Sequence, residues 1–224
     1  MTELLLVRHA QASFGTDDYD RLSALGHRQS RWLGEWLAER GPAFDRVVTG
    51  TLRRHRETLA GLVEGGLALP APIEHAGLDE YDADVLLHAW RARTGTPAPA
   101  AGSGRREHFR QLRDALEDWV EARVDVSPHR PFGRFLEGVR AGLAEARADR
   151  AARRVLVISS GGPISTLIAE ALGAPHASMV RINLQLRNTG VTEFRCGEHA
   201  THCVAFNAVP HLDPADRRDG VTYS

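Results

Sequence analysis

The sequence predicts an α/β protein, a three-layer sandwich in which helices cover both faces of a mostly parallel, mixed sheet. Short apolar runs typical of buried strands lie at residues 4–7 and 155–158, and each precedes a helical pattern. Strand and helix patterns also alternate along most of the chain, which favours parallel pairing. With 224 residues, 42% of them hydrophobic, the chain fits one domain, 1–224, with one sizeable core.

The first half of the chain contains two pairs of strand and helix. Ser23 is suited to cap the first helix, and Gly41 with Pro42 is suited to end it. A second glycine pair ends the next helical pattern. The predicted elements are strands at 4–7 and 46–48 and helices at 23–40 and 51–65.

A helical insert is predicted at about 84–150, with helical patterns at 85–93, 107–124 and 132–147. Within it, residues 94–104 are rich in Gly, Pro and Ala and poor in large apolar side chains, which predicts a mobile loop. After the insert, Pro163 suits the first turn of a helix. The elements predicted there are a strand at 155–158, a helix at 163–173, a strand at 182–186, and a hairpin at 191–196 and 202–206 that gives the sheet one antiparallel edge.

Composition limits the classes of function. The formal net charge of −1 provides no basic field for nucleic acid and no polybasic membrane patch. The apolar run before Arg8 is too short for a signal or membrane-spanning segment, so we expect a cytoplasmic protein. All 28 residues counted as Lys or Arg are arginine, which excludes a P-loop lysine or a Schiff-base lysine and leaves phosphate recognition to guanidinium groups.

The two cysteines do not form a disulfide framework, but they lie close to two histidines. Cys196, His199, His202 and Cys203 fall within eight residues, which suggests a zinc clip as one interpretation. The same segment fits a β-hairpin, in which side chains alternate between faces and do not converge on one metal. We favour the hairpin and expect no metal and no cofactor.

The most informative segment is the run Leu-Leu-Leu-Val-Arg-His at residues 4–9. In an open α/β sheet, ligands bind beyond the carboxyl ends of the strands. Arg8 is placed there to neutralise a phosphate, and His9 is placed to act as a nucleophile or base. In isolation, such a pair is more often a surface cation beside a hydrogen-bonded loop histidine.

Further segments resemble, in order, the histidine phosphatase superfamily of phosphoglycerate-mutase-like enzymes. Arg8, His9, Ala10 and Gln11 are similar to its Arg-His-Gly signature, with alanine in the third position. The segment at 22–29 is similar to its Ser-x-Leu-Gly-x-x-Gln helix start, and the segment at 47–58 to its second strand and helix. The segment at 78–80 is similar to the one that carries its acid, and 155–164 to its late strand ending in Ser-His-Gly-Gly.

The resemblance implies a role for particular residues. His9 would be the nucleophile that forms a phosphohistidine, Arg8 and Arg54 would hold the phosphoryl oxygens, and Glu80 would be the general acid and base. Residues expected to add hydrogen bonds to the substrate are Gln11, Gly15, Ser160 and Gly161. The second catalytic histidine of the family falls on Ser160, whereas His55 and the remaining histidines are expected to be surface or structural residues.

The resemblance implies a metal-independent phosphomonoesterase that acts on a small phosphorylated metabolite, with the insert capping the pocket. Two alternatives stay open. One is a phosphate-binding protein whose catalysis has decayed with Ser160, and the other is a phosphotransferase of the phosphoglycerate mutase type. The sequence leaves the oligomeric state and the substrate open.

Overall fold

The computed structural model describes residues 1–13, 19–41, 43–100, 104–198 and 200–223. They form a six-stranded sheet in the order β3-β2-β4-β1-β5-β6. The strands are β1 (Thr2–Arg8), β2 (Arg46–Thr49), β3 (Pro72–Glu74), β4 (Arg154–Ser159), β5 (Val191–Cys196) and β6 (Thr201–Ala208). The helices are α1 (Ala24–Glu39), α2 (Arg53–Glu64), α3 (Ala83–Thr94), α4 (Gly104–Val120), α5 (Phe132–Ala146), α6 (Gly161–Ala171) and α7 (Ser178–Asn183).

Strands β1 to β4 pair in parallel, and β5 joins β1 antiparallel, so the predicted mixed sheet with one antiparallel edge is confirmed. The central strands are buried on both faces, which explains their continuous apolar runs. In β1, Leu4 and Leu6 enter one core while Leu5 and Val7 enter the other. Helices α1 and α2 pack on the second core and α3 to α6 on the first, which gives the predicted three layers.

Most predicted elements are found within one to three residues of their expected bounds. Ser23 caps α1 by accepting a hydrogen bond from the Gly26 amide, as predicted. The hairpin of β5 and β6 is also confirmed, although His199 lies outside the described residues. Residue 42 and part of the 94–104 loop, residues 101–103, likewise lie outside them.

The strand predicted at 182–186 is wrong. Residues 178–183 form α7, and residues 184–186 follow it without joining the sheet. Met179, Val180 and Asn183 are the buried residues of this helix, a spacing of one and three that matches a helical turn. The strand predicted at 182–186 overlaps only the last two residues of this helix. No helix in the described part of the chain is long and apolar enough to cross a membrane.

Candidate active site

The candidate site lies at the carboxyl ends of β1, β4 and β2, which are adjacent in the sheet. Register places Arg8 of β1 opposite Ser159 of β4, and Thr49 of β2 opposite Ile158. The chain segments that follow these three strands therefore meet at one edge, where ligands of open α/β sheets bind. His9 follows β1 and Ser160 follows β4, and α2 begins four residues after β2.

His9 is almost completely buried at this edge. Its backbone amide donates to the Ser159 carbonyl at 2.9 Å, and its ring Nδ1 lies 2.8 Å from the Ala10 carbonyl oxygen. Because a carbonyl can only accept, Nδ1 carries the proton in this contact and Nε2 keeps its lone pair. Burial, with the charges of Arg54 and Arg8, holds the pKa of His9 well below its usual value. The imidazole is therefore neutral, with one nitrogen suited to nucleophilic attack.

Arg8 and Arg54 supply positive charge beside His9, and both side chains are buried. The Arg8 guanidinium donates to the Leu186 carbonyl. Arg54, in the first turn of α2, donates through Nη1 to the Asp20 carboxylate at 2.6 Å. Both arginines line one cavity, so the structure brings together the two cations predicted to bind phosphate.

Glu80 lies in the same cavity, next to the start of α6. Its Oε1 accepts a hydrogen bond from the Gly162 amide at 2.9 Å. Burial raises the pKa of Glu80 above its usual value, although the charges of Arg54 and Arg8 oppose this shift. Glu80 can therefore hold a proton at a higher pH than an exposed glutamate, as a general acid requires.

The cavity has a volume of about 990 Å³. Besides the two arginines and Glu80, its wall includes residues at and near α3, α4 and α7, with apolar and aromatic side chains and two aspartates. Those wall residues include Tyr81, Asp82, Asp84, Phe109, Leu112 and Leu184. Asn183, misassigned to a strand by the sequence pattern, also lines it and donates to the Tyr81 hydroxyl at 2.9 Å.

The remaining predicted binding residues have different surroundings. The side-chain oxygen of Gln11 accepts a hydrogen bond from Ser23 at 2.7 Å, which ties Gln11 to the start of α1. Gly15 lies outside the described residues. A Cβ on Gly161 would collide with the Asn183 amide oxygen, and a Cβ on Gly162 with Glu80 Oε1. These two glycines therefore allow the close approach of Glu80 and Asn183 to α6.

Sequence reasoning missed His55. It is not a surface residue, because its side chain is completely buried. Its Nε2 lies 2.7 Å from Ser160 Oγ, and its ring centroid lies 5.8 Å from that of His9. Its Nδ1 lies 3.6 Å from Asp79 Oδ1, beyond hydrogen-bond distance but close enough for electrostatic attraction. The available signal was its position directly after Arg54, because successive residues in a first helical turn can both face the strand ends.

Comparison with known proteins identifies the family to which this chain belongs. A family model described as "Histidine phosphatase superfamily (branch 1)" matches residues 4–209. A 2,3-bisphosphoglycerate-dependent phosphoglycerate mutase from Methylorubrum populi is 28% identical over 123 residues, which cover 45% of this chain and only 58% of that relative's length.

Solved structures share the fold at low sequence identity. A phosphoserine phosphatase from Entamoeba histolytica is 19% identical with a TM-score of 0.64, covering 95% of this chain and 100% of its own. A putative alpha-ribazole-5'-P phosphatase from Escherichia coli is 22% identical with a TM-score of 0.64, covering 92% and 96%. By the extent of the family match, this chain belongs to the histidine phosphatase superfamily.

Proposed function

We propose that this protein is a phosphomonoesterase that hydrolyses a small phosphorylated metabolite through a phosphohistidine at His9. The observation that carries the proposal is the hydrogen bond from His9 Nδ1 to the Ala10 carbonyl, which leaves Nε2 unprotonated next to Arg8 and Arg54. Membership of the superfamily supports a phosphoryl-transfer enzyme. The fold is shared with proteins described as phosphoserine and alpha-ribazole phosphatases, which is consistent with this class of substrate.

The reaction has two steps. In the first, His9 Nε2 forms a bond to phosphorus while the bond from phosphorus to the ester oxygen breaks, and Glu80 transfers its proton to the departing oxygen. In the second, the Glu80 carboxylate takes a proton from water as the water oxygen attacks phosphorus. The bond from phosphorus to nitrogen then breaks, inorganic phosphate leaves, and both side chains return to their starting states.

Arg8 and Arg54 stabilise the charge on the transferred phosphoryl group in both steps. Charged hydrogen bonds from fixed guanidinium groups strengthen as negative charge is redistributed in the transition state. Asp20 holds the Arg54 guanidinium in place before substrate arrives, which limits reorganisation during the reaction. We propose that these two cations take the place of a metal ion, so that the reaction is metal-independent.

We propose that the segment at about 84–150, which contains α3 to α5, caps the site and sets substrate choice. Asp84 and the nearby Asp82, whose carboxylate caps α3 by accepting from the Val85 amide, line the cavity together with Phe109 and Leu112. A substrate with a second anionic group would meet repulsion there, whereas an uncharged apolar body would bury surface. This favours substrates whose organic part is uncharged over substrates that carry a carboxylate, such as phosphoglycerate and phosphoserine, and it disfavours a phosphoglycerate mutase.

The test is turnover of p-nitrophenyl phosphate together with trapping of an acid-labile phosphoprotein. The His9→Ala variant should lose phosphoprotein labelling, and its turnover should fall by several orders of magnitude, as expected when a nucleophile is removed. The matched control is His88→Ala, because His88 is exposed on α3. EDTA should leave the wild-type rate unchanged. Substantial turnover by His9→Ala would exclude the mechanism, and phosphate binding without turnover would favour the binding-protein alternative.

A further inference from the structure

The Ser160 hydroxyl has an unusual partner. Ser160 precedes α6 and occupies its N-cap position, where a serine normally accepts a hydrogen bond from an amide of the first turn. Within the described part of the chain, its side chain makes no such cap bond. Its oxygen instead lies 2.7 Å from His55 Nε2, and both residues are completely buried. The hydroxyl therefore forms its hydrogen bond with His55 and does not cap the helix.

The other side of the His55 ring faces a fixed carboxylate. Asp79 accepts hydrogen bonds from the Thr51 amide at 2.6 Å and from the Thr51 hydroxyl at 2.5 Å, and its Oδ1 lies 3.6 Å from His55 Nδ1. Burial raises the pKa of Asp79, but its contacts with His55 and Thr51 outweigh burial and leave the pKa below its usual value. Asp79 is thus ionised, and its charge favours a proton on Nδ1 of His55.

The backbone next to this pair is adapted to it. Gly50 directly follows β2, and a Cβ on this residue would overlap the His55 ring and lie 2.6 Å from Asp79 Oδ1. His55 and Asp79 therefore occupy the space that a side chain at residue 50 would need. Asp79, His55 and Ser160 form a continuous chain of contacts, and the His55 ring in its middle lies 5.8 Å from the His9 ring, centroid to centroid.

This chain can change how strongly Ser160 donates. When His55 is neutral with its proton on Nδ1, Nε2 accepts the Ser160 proton, which then points away from a substrate. When His55 takes a second proton from solvent, Nε2 donates to Ser160 Oγ, and the hydroxyl proton is free to turn toward a phosphoryl oxygen. A bound phosphoryl dianion favours the second state, and the serine then donates a bond strengthened by the imidazolium behind it.

We propose that His55 is a positioning residue that acts through Ser160, so that Asp79, His55 and Ser160 together supply the charged donor that the resembling family places on one histidine. The proposal rests on the proposed phosphatase function. Relative to that family, the imidazole lies in the first turn of α2, as His55, and not at the start of α6. Ser160 connects it to the phosphoryl group by a hydrogen bond on each side.

The charges around His55 decide when it takes up the proton. Asp79 and Asp20 favour the charged ring, whereas Arg54 opposes it. The neighbouring His9 ring is neutral and adds no charge on that side. Burial lowers the pKa of His55 in the free protein, so its ring is neutral before ligand binds. Binding of inorganic phosphate should therefore be accompanied by proton uptake that depends on His55.

The test is a double-mutant cycle of Ser160→Ala and His55→Gln, measured as kcat/KM for p-nitrophenyl phosphate. Ser160→Ala should lower kcat/KM about 10- to 100-fold, because a charge-assisted donor is lost. His55→Gln keeps a neutral side-chain donor and should lower it about 5- to 30-fold. The double variant should be within about threefold of Ser160→Ala, because coupled residues are not additive. Ser165→Ala is the matched control, since Ser165 is buried in α6 with its hydroxyl bonded to the Gly162 carbonyl.

A second readout separates this role from a structural one. Isothermal titration with inorganic phosphate in buffers of different ionisation enthalpy should show proton uptake by the wild type that is reduced in both single variants. Multiplicative losses in the double variant, or uptake unchanged by His55→Gln, would overturn the proposal. An acid-stable phosphoryl group on Ser160 would also overturn it, because Ser160 would then be the nucleophile and His55 its base.

Failure of the proposed function would look different. A wild type without turnover whose phosphate affinity and proton uptake still depend jointly on His55 and Ser160 would refute the phosphatase assignment and keep the chain of contacts as part of a phosphate-binding site. A protein that binds no phosphate would refute both.

Discussion

Replacement of Glu80 by glutamine tests the proton donor of the proposed reaction. The Oε1 atom of Glu80 accepts the Gly162 amide, and the amide oxygen of glutamine can keep that bond. The variant therefore removes the transferable proton while it preserves the local geometry. General acid catalysis contributes about 10²- to 10⁴-fold to rate, so kcat/KM for an alkyl phosphate should fall by about that factor. For p-nitrophenyl phosphate the loss should be much smaller, because p-nitrophenolate leaves without a proton.

The pH dependence gives the same test a second measurement. The pKa of Glu80 is raised by burial, so the protonated acid persists above the usual range of a glutamate and is lost as pH rises further. In the wild type, kcat/KM for the alkyl phosphate should fall on the alkaline side as Glu80 ionises, and Glu80→Gln should lack this limb. Equal losses on both substrates, or an unchanged alkaline limb, would refute the assignment of Glu80 as the acid.

Three further predictions follow from buried contacts. Gly50→Ala should lower unfolding stability in urea by about 1–3 kcal/mol through overpacking against His55, whereas Gly133→Ala, whose Cβ meets open space, should not. Burial, with the charge of Arg217, lowers the pKa of His211 to about 3. The unfolded chain then binds a proton that the folded chain does not bind, so His211 alone should lower the unfolding stability by about 2 kcal/mol from pH 7 to pH 5, and the fall should be smaller by that amount in His211→Gln. Ser160→His should place an imidazole against the His55 ring and lower both stability and activity, whereas adding His55→Ala should restore them; a fully stable and active single variant would contradict the contact.

The fold could be predicted from the sequence because its signals are local. The buried strands at 4–7 and 155–158 are short apolar runs, and Ser23 caps α1 through an amide three residues away. The failure at 182–186 has a local cause as well. Leu184 and Leu186 alternate with polar residues, but the buried Met179 and Val180 before them set a helical period that the chosen segment excluded.

From the sequence, the positions of site residues could be predicted only where the chemical type of a residue suits a single role. Arg8 and Arg54 are buried close to His9, and Glu80 lines the same cavity as the two arginines, so these predicted residues lie together while their roles stay predictions. Gln11 shows the limit of such reasoning, because its side-chain oxygen is bonded to Ser23 within the local structure at α1. A motif gives the identity of a residue at a position, but its hydrogen-bond partner depends on packing.

Ser160 shows how far a contact between distant residues can change an energetic argument. Taken alone, a serine offers a neutral hydrogen bond worth about 0.5–1.5 kcal/mol, against about 1.5–3 kcal/mol for a charged donor. On that basis its rate would be about ten- to thirtyfold below that of a site with two histidines. The structure places His55 behind the hydroxyl, 105 residues away in sequence, and Asp79 behind His55. With an imidazolium in that position the serine becomes a charge-assisted donor, so the expected deficit shrinks, and the loss caused by Ser160→Ala grows by the same amount.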